Sequence, residues 1–154
     1  MDSSNVKDAI QDLIIRLKDA EKGYLEISKA VSNPTLKSWL NKYAKERHQM
    51  HRVLESIVVA KGENAVVETS FLGDLHRMFI DIKISNTSAD KEYDAMVTEI
   101  ERGAGVLISD YEKVLSEVPM LPTLQTTIRA QKMTIENELF NLVALKEEFN
   151  SVIA

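Results

Sequence analysis

The chain has 154 residues, of which 44% are hydrophobic and 28% charged, and this balance predicts one globular domain over residues 1–154. The absence of cysteine excludes disulfides, thiolate metal sites and cysteine nucleophiles. The net charge of −5 repels phosphate backbones, so we expect no binding to nucleic acid. The first residues do not resemble a signal peptide and the apolar runs are too short to cross a bilayer, which predicts a cytoplasmic protein without membrane contact.

Apolar residues recur at a spacing of 3.6 residues along almost the whole chain, which predicts an all-α protein. The first helix is expected over residues 4–31. The second follows Asn33 as the N-cap and Pro34 as the first helical residue, and ends at Gly62. The inward stripe of the first helix consists of Val6, Ile10, Leu13, Leu17, Ala20, Tyr24, Ile27 and Val31. That of the second consists of Leu36, Leu40, Tyr43, Arg47, Met50, Leu54 and Ile57.

Residues 62–90 are predicted to be a long connection that contains a short amphipathic helix. The third helix is expected over residues 89–117, with the stripe Tyr93, Met96, Ile100, Ala104, Leu107, Tyr111 and Val114. Pro119 and Pro122 are expected to form a short corner, after which the fourth helix runs to the chain end with the stripe Leu124, Ile128, Gln131, Ile135, Leu139, Leu142, Phe149 and Ile153. Because antiparallel neighbours are usually joined by short loops, the long connection favours a ferritin-like four-helix bundle with a crossover between helices two and three.

Five polar residues lie on or beside the inward stripes and form the candidate site: Glu21, Arg47, Glu101, Gln131 and Glu138. In a bundle with the predicted crossover, the charged members agree in height to within about one helical turn. We therefore predict a buried polar network, in which Arg47 pairs bidentately with Glu21 or Glu101. No cofactor is needed in this interpretation.

A metal site is the alternative interpretation of the same residues. Ferritin-like di-metal proteins use two Glu-x-x-His motifs, whereas here Glu46 is followed by Gln49 and Glu138 by Asn141. Arg47 would also place a permanent charge in the metal cavity. The alternative is a di-iron or di-manganese site with the ligands Glu21, Glu46, Glu101, Glu138 and His51.

The three histidines carry weaker signals. His48 is predicted to project towards solvent and His51 towards the edge of the helix interface, while His76 lies off the apolar side of the connection. Surface or boundary positions are the simplest interpretation, and His51 could act as a ligand if its helix rotated slightly.

Four segments, in their order along the chain, carry a family resemblance. They are residues 17–24 (LKDAEKGY), Glu46-Arg47, residues 75–83 (LHRMFIDIK) and residues 101–103 (ERG) with Tyr111 and Leu115. Together they resemble a family of small bacterial ferritin-like four-helix-bundle proteins, catalogued as a domain of unknown function and including stress-associated members. The resemblance implies a ferritin-like fold over most of the chain and no established reaction. Ala104 stands where the family tends to have an acidic residue, which removes a possible ligand.

Two functions follow from these observations. The first is a non-catalytic helical protein that acts under stress conditions by associating with itself, as a homodimer, or with an unknown protein partner. The second is a di-iron or di-manganese carboxylate protein that oxidises or stores metal. The sequence contains no Ser/His/Asp set, phosphate loop or zinc pattern, which favours a protein that is not an enzyme.

Overall fold

A computed structural model describes residues 3–60 and 89–153, and all regular elements in these ranges are α-helices. The helices are α1 (Ser3–Ala30), α2 (Pro34–Ala60), α3 (Ala89–Glu117), α4 (Pro122–Phe140) and α5 (Leu142–Ile153). The predicted all-α class is confirmed. The predicted short helix of the connection lies outside the described residues. Within the described ranges, no helix is long and apolar enough to cross a membrane.

The turn between α1 and α2 forms as its residue types predict. The Oδ1 atom of Asn33 accepts hydrogen bonds from the backbone N–H of Thr35 at 3.0 Å and of Leu36 at 3.2 Å. Pro34 is the first residue of α2, where its missing N–H costs no helical hydrogen bond. This short cap turns the chain back on itself, so α1 and α2 pack as an antiparallel pair.

Two contacts define the direction of α3. Near its start, the Glu92 carboxylate accepts hydrogen bonds from the backbone N–H of Ser32 at 2.6 Å and of Asn33 at 3.2 Å. Further along, Asp110 pairs with Arg16 of α1 at 3.3 Å. Therefore α3 runs antiparallel to α1 and parallel to α2, and the end of α2 and the start of α3 lie at opposite ends of the helices.

The last part of the chain returns along α3. Gln131 of α4 contacts Tyr111 of α3, and Phe149 of α5 stacks on Tyr93 with ring centroids 4.9 Å apart. The prediction of one helix from the corner to the chain end is wrong, since two helices follow, and Pro122 is the first residue of α4 and does not belong to the corner. Asn141, with φ −87° and ψ 4°, separates α4 from α5 because its backbone has left the helical range.

The core consists of two buried apolar clusters, one containing Leu54 and Ile128 and the other Leu40 and Phe149. Nearly every predicted stripe residue whose side chain is described is buried, which confirms the stripes, and three are half-buried. The half-buried ones are Ala20, Ile57 and Leu139. On α2, Arg47 comes between the two clusters, where it is completely buried.

Candidate metal centre

Side chains of α1 and α2 meet in a group of two imidazoles and one carboxylate. Oε1 of Glu21 lies 2.7 Å from Nε2 of His51, and Oε2 of Glu21 lies 2.9 Å from Nδ1 of His48. These three residues offer ligand atoms that all lie within 4.8 Å of one another. Among residues 3–60 and 89–153, no other group of three or more His, Cys, Asp or Glu side chains meets this criterion. We call this group the histidine–carboxylate site.

The site follows from the short turn between α1 and α2. Glu21 lies 12 residues before Asn33, and His48 lies 15 residues after it, so the antiparallel pair brings them to similar heights. Residues three apart lie on one face of a helix, which puts His48 beside His51, with ring centroids 4.9 Å apart. Glu-x-x-His motifs use this same spacing to present two ligands to one metal ion.

Exposure changes steeply across the histidine–carboxylate site. The side chain of His51 is 5% exposed, that of Glu21 is 23% and that of His48 is 51%. The buried ring of His51 is held in place by its surroundings, whereas His48 borders solvent. The side of the site that borders solvent is therefore the side of His48.

A second carboxylate supports His51 from behind. Oε1 of Glu55 lies 3.4 Å from Nδ1 of His51, an electrostatic contact too long for a good hydrogen bond, and 3.0 Å from Nζ of Lys18. Burial acts to raise the pKa of Glu55, but Lys18 and His51 outweigh it and hold that pKa below its ordinary value. Glu55 is therefore ionised at neutral pH. Metal-binding histidines commonly face such a carboxylate with the nitrogen that does not bind the metal.

The donor set has defined chemistry. Two imidazoles and a carboxylate suit divalent first-row transition metals such as zinc or iron. Three protein ligands leave a coordination position open to a further group. Without a metal, a proton between Glu21 and either imidazole gives a charge-assisted hydrogen bond, so the same contacts also describe an ion pair that joins α1 to α2.

The predicted pairing of Arg47 with Glu21 or Glu101 is wrong. Its Nη1 and Nη2 atoms donate to the two carboxylate oxygens of Glu138 on α4, at 3.2 and 2.5 Å. The guanidinium also lies 5.7 Å from the ring centroid of Tyr24. Arg47 projects from α2 into the core, while Glu21 meets α2 at its histidine face, and for this reason the two side chains do not pair.

Gln131 forms a separate buried contact. Tyr111 donates a hydrogen bond from its hydroxyl to Oε1 of Gln131 at 2.6 Å, and Nε2 of Gln131 donates to the backbone carbonyl of Met50 at 3.1 Å. Gln131 thereby connects α4 to both α2 and α3. It is not bonded to the Arg47–Glu138 pair.

Glu46 lies beside Glu138 at the edge of the core. Burial first, and then a hydrogen bond with Glu138, raise the pKa of Glu46 to about 7. At neutral pH a proton is therefore partly retained between the two carboxyl groups. The pair faces Arg47 and is separate from the histidine–carboxylate site.

Glu101 takes no part in the histidine–carboxylate site or in the Arg47–Glu138 pair. It is exposed, whereas its neighbour Ile100 is completely buried, because adjacent residues of a helix lie about 100° apart around its axis. The ligands proposed for a di-metal site therefore do not meet: Glu21 contacts His51, Glu46 contacts Glu138, and Glu101 faces solvent. These residues do not fit a di-iron or di-manganese centre.

The sequence placed His48 at the surface, as observed, but did not indicate its contact with Glu21, and it indicated no role for Glu55 or Glu92. The signal for His48 was its spacing from His51, which puts both rings on one side of α2. The inward stripe of α2 does not include the side that carries these two histidines. Glu92 had no signal at all, because its partners are backbone N–H groups of the turn between α1 and α2.

Comparison with known proteins defines the family. No curated protein and no solved structure matches the chain. A family model described as a domain of unknown function, DUF2383, matches residues 5–117, a range that includes the complete histidine–carboxylate site and ends where α3 ends. Gln131 and Glu138, which contact Tyr111 and Arg47, lie beyond the matched range. Since the match spans well over half of the sequence, this chain belongs to the DUF2383 family.

Proposed function

We propose that this protein binds one divalent transition-metal ion at Glu21, His48 and His51. The observation that carries the proposal is the Glu21 carboxylate, which lies within 2.9 Å of one nitrogen of each imidazole. A metal ion would replace the protons of these contacts and bind the same atoms. Because the di-metal ligand set does not converge, the proposal is for a single ion.

The three ligands would have different roles. His51 is almost completely buried and faces the ionised Glu55, so it would provide the ligand with the most fixed orientation. Glu21 would neutralise part of the charge of the ion. His48 lies at the solvent side, where it would close the site after the ion has entered.

The arrangement of the helices supports a ferritin-like four-helix bundle. The parallel course of α2 and α3 is the feature that distinguishes such a bundle from one that alternates up and down. A cytoplasmic location and a role under stress conditions stay predictions from sequence.

The test is a calorimetric titration of the chelator-treated protein with Zn²⁺. We expect one ion per chain for the natural sequence and no binding at this site for His51→Ala or for Glu21→Gln. His76→Ala is the matched control, because it removes a histidine from outside the described residues and leaves the three ligands in place. Unchanged Zn²⁺ affinity in His51→Ala would show that the site is an ion pair and no more.

Self-association is a second candidate function, supported by one observation on α4. Phe140 is 86% exposed and Met133, seven residues earlier and so on the same side of the helix, is 60% exposed. Exposed apolar side chains that lie together on one face of a helix are a feature of surfaces that contact another chain. Sedimentation of the natural protein should show a dimer, and Phe140→Glu should shift it to monomer; a monomer at every concentration of the natural protein would rule out the association.

A further inference from the structure

Four basic residues lie close in sequence to the residues of the histidine–carboxylate site. On α2, Lys45 lies three residues before His48 and Arg52 four residues after it, so both share its exposed side of the helix. On α1, Lys18 lies three residues before Glu21 and Lys22 directly follows it. All four lie within about one helical turn of a proposed ligand.

Two of these cations are already engaged, and two are not. Lys18 pairs with Glu55 at 3.0 Å, and Arg52 contacts Glu55 at 3.4 Å while its side chain stays 69% exposed. Lys22 and Lys45 are exposed and have no ion-pair partner among the described residues. The four cations outnumber the two carboxylates that contact the histidines, Glu21 and Glu55, in a chain whose net charge is −5.

A bound divalent ion would increase this local excess of positive charge. Glu21 would neutralise only one of its two charges, and the fourth coordination position would remain for a group that is not part of the protein. An acidic chain that keeps unpaired lysines beside an open metal position provides a local field that attracts anions.

We infer that the open position binds a phosphate group, an inference that rests on the proposed function. One phosphate oxygen would bind the metal, and the remaining oxygens would face Lys45 and Arg52. The planar guanidinium of Arg52 can donate two parallel hydrogen bonds to a phosphate. A phosphate bound to the metal through one oxygen keeps three oxygens for Lys45 and Arg52, whereas a carboxylate bound in the same way keeps only one.

The experiment uses the Co²⁺-loaded protein, because the visible absorption of Co²⁺ reports both its binding and a change of its fourth ligand. Inorganic phosphate is titrated into this protein, with acetate in a parallel titration. We expect phosphate to change the spectrum at concentrations at which acetate does not. The double variant Lys45→Gln/Arg52→Gln should bind one Co²⁺ per chain but bind phosphate about tenfold more weakly.

The matched control is Lys113→Gln/Arg129→Gln, which removes the same charges from exposed positions of α3 and α4. It should bind phosphate as the natural protein does. Absence of Co²⁺ binding would overturn the proposed function itself. If Co²⁺ binds normally but phosphate does not change its spectrum, only this inference is overturned. Equal responses to phosphate and acetate would overturn it too, and so would equal phosphate affinity in the two double variants.

Discussion

The histidine–carboxylate site and the Arg47–Glu138 pair both join helices through a carboxylate and a nitrogen base, but they differ in what they can do. Arg47 is completely buried and permanently charged, so its partner can only neutralise it. His48 and His51 can each lose a proton, and His48 is half-exposed. A buried permanent charge stabilises one arrangement of helices, whereas an imidazole can bind either a proton or, as proposed here, a metal ion.

The histidine–carboxylate site and the Arg47–Glu138 pair also differ in whether the family match includes them. All three residues of the histidine–carboxylate site lie within the matched residues 5–117, whereas the Arg47–Glu138 pair needs a residue from beyond them. Loss of the pair should therefore weaken the attachment of α4, and loss of the site should leave the packing of α1 on α2 nearly intact. Variants that change stability without changing metal binding, or the reverse, can therefore distinguish the role of the Arg47–Glu138 pair from that of the histidine–carboxylate site.

The largest expected effect is that of Arg47→Leu. Removal of the guanidinium leaves Glu138 without its partner at the edge of the core, and we expect the free energy of unfolding to fall by about 3–5 kcal/mol. Urea denaturation measures this change. His48→Ala is the control and should change stability by less than about 1 kcal/mol, because His48 borders solvent. An unaltered urea midpoint for Arg47→Leu would contradict a structural role for the pair.

Zinc should stabilise the protein by binding at the histidine–carboxylate site. A ligand that binds only the folded state at a hundred times its dissociation constant raises the free energy of unfolding by about 2.7 kcal/mol. We expect this gain in the natural protein and in any Arg47→Leu protein that remains folded, and no gain in His51→Ala. Thermal melting with and without Zn²⁺ measures it. If Zn²⁺ stabilised His51→Ala but not Arg47→Leu, the metal would bind at the Arg47–Glu138 pair and not at the histidine–carboxylate site.

A smaller effect is expected at Gln131. Its replacement by leucine leaves the Tyr111 hydroxyl and the Met50 carbonyl without their partner, which should lower the free energy of unfolding by about 1–3 kcal/mol. Tyr111→Phe should then cost less in the Gln131→Leu protein than in the natural one, since the shared hydrogen bond is already absent. Equal costs in both proteins would show that the two residues are not coupled.

The smallest effect is a pH dependence at Glu46, whose pKa burial and Glu138 raise to about 7 in the folded protein from an ordinary value of 4.5. Between these values the folded state keeps a proton that the unfolded chain has released, so this group lowers stability as pH rises from 4.5 to 7. Because Glu46 is partly exposed, we expect a loss of about 1 kcal/mol.

Glu46→Gln should remove this loss, so the variant should be more stable than the natural protein at pH values above the raised pKa. Urea denaturation across the pH range measures the difference between the two proteins. Glu101→Gln is the control, since Glu101 is exposed, and it should keep the natural pH dependence. A Glu46→Gln profile parallel to the natural one would mean that the carboxyl titrates alike in both states.

Much of the fold was predictable from local patterns. The cap at Asn33 and Pro34, the bounds of α3 and the inward stripes depend on residues close together in sequence, and their side-chain spacing was sufficient. The break at Asn141 was not predictable in this way, because the apolar spacing continues through it. The candidate site was predicted less well: Arg47, Gln131 and Glu138 are near the core as expected, but Glu101 is exposed, and His48 was placed at the surface without its contact to Glu21.

What the sequence determined by itself is therefore the set of helices and the side of each that is buried, since both follow from the 3.6-residue repeat and from the residues at the helix ends. Only the tertiary structure decided which polar side chains meet. Arg47 selects Glu138 because α4 lies against α2, and Glu21 reaches both histidines because the turn at Asn33 sets the register of α1 on α2. Such pairings depend on how each helix is rotated and how high it lies relative to its neighbours. The periodic pattern within one helix contains no information about either.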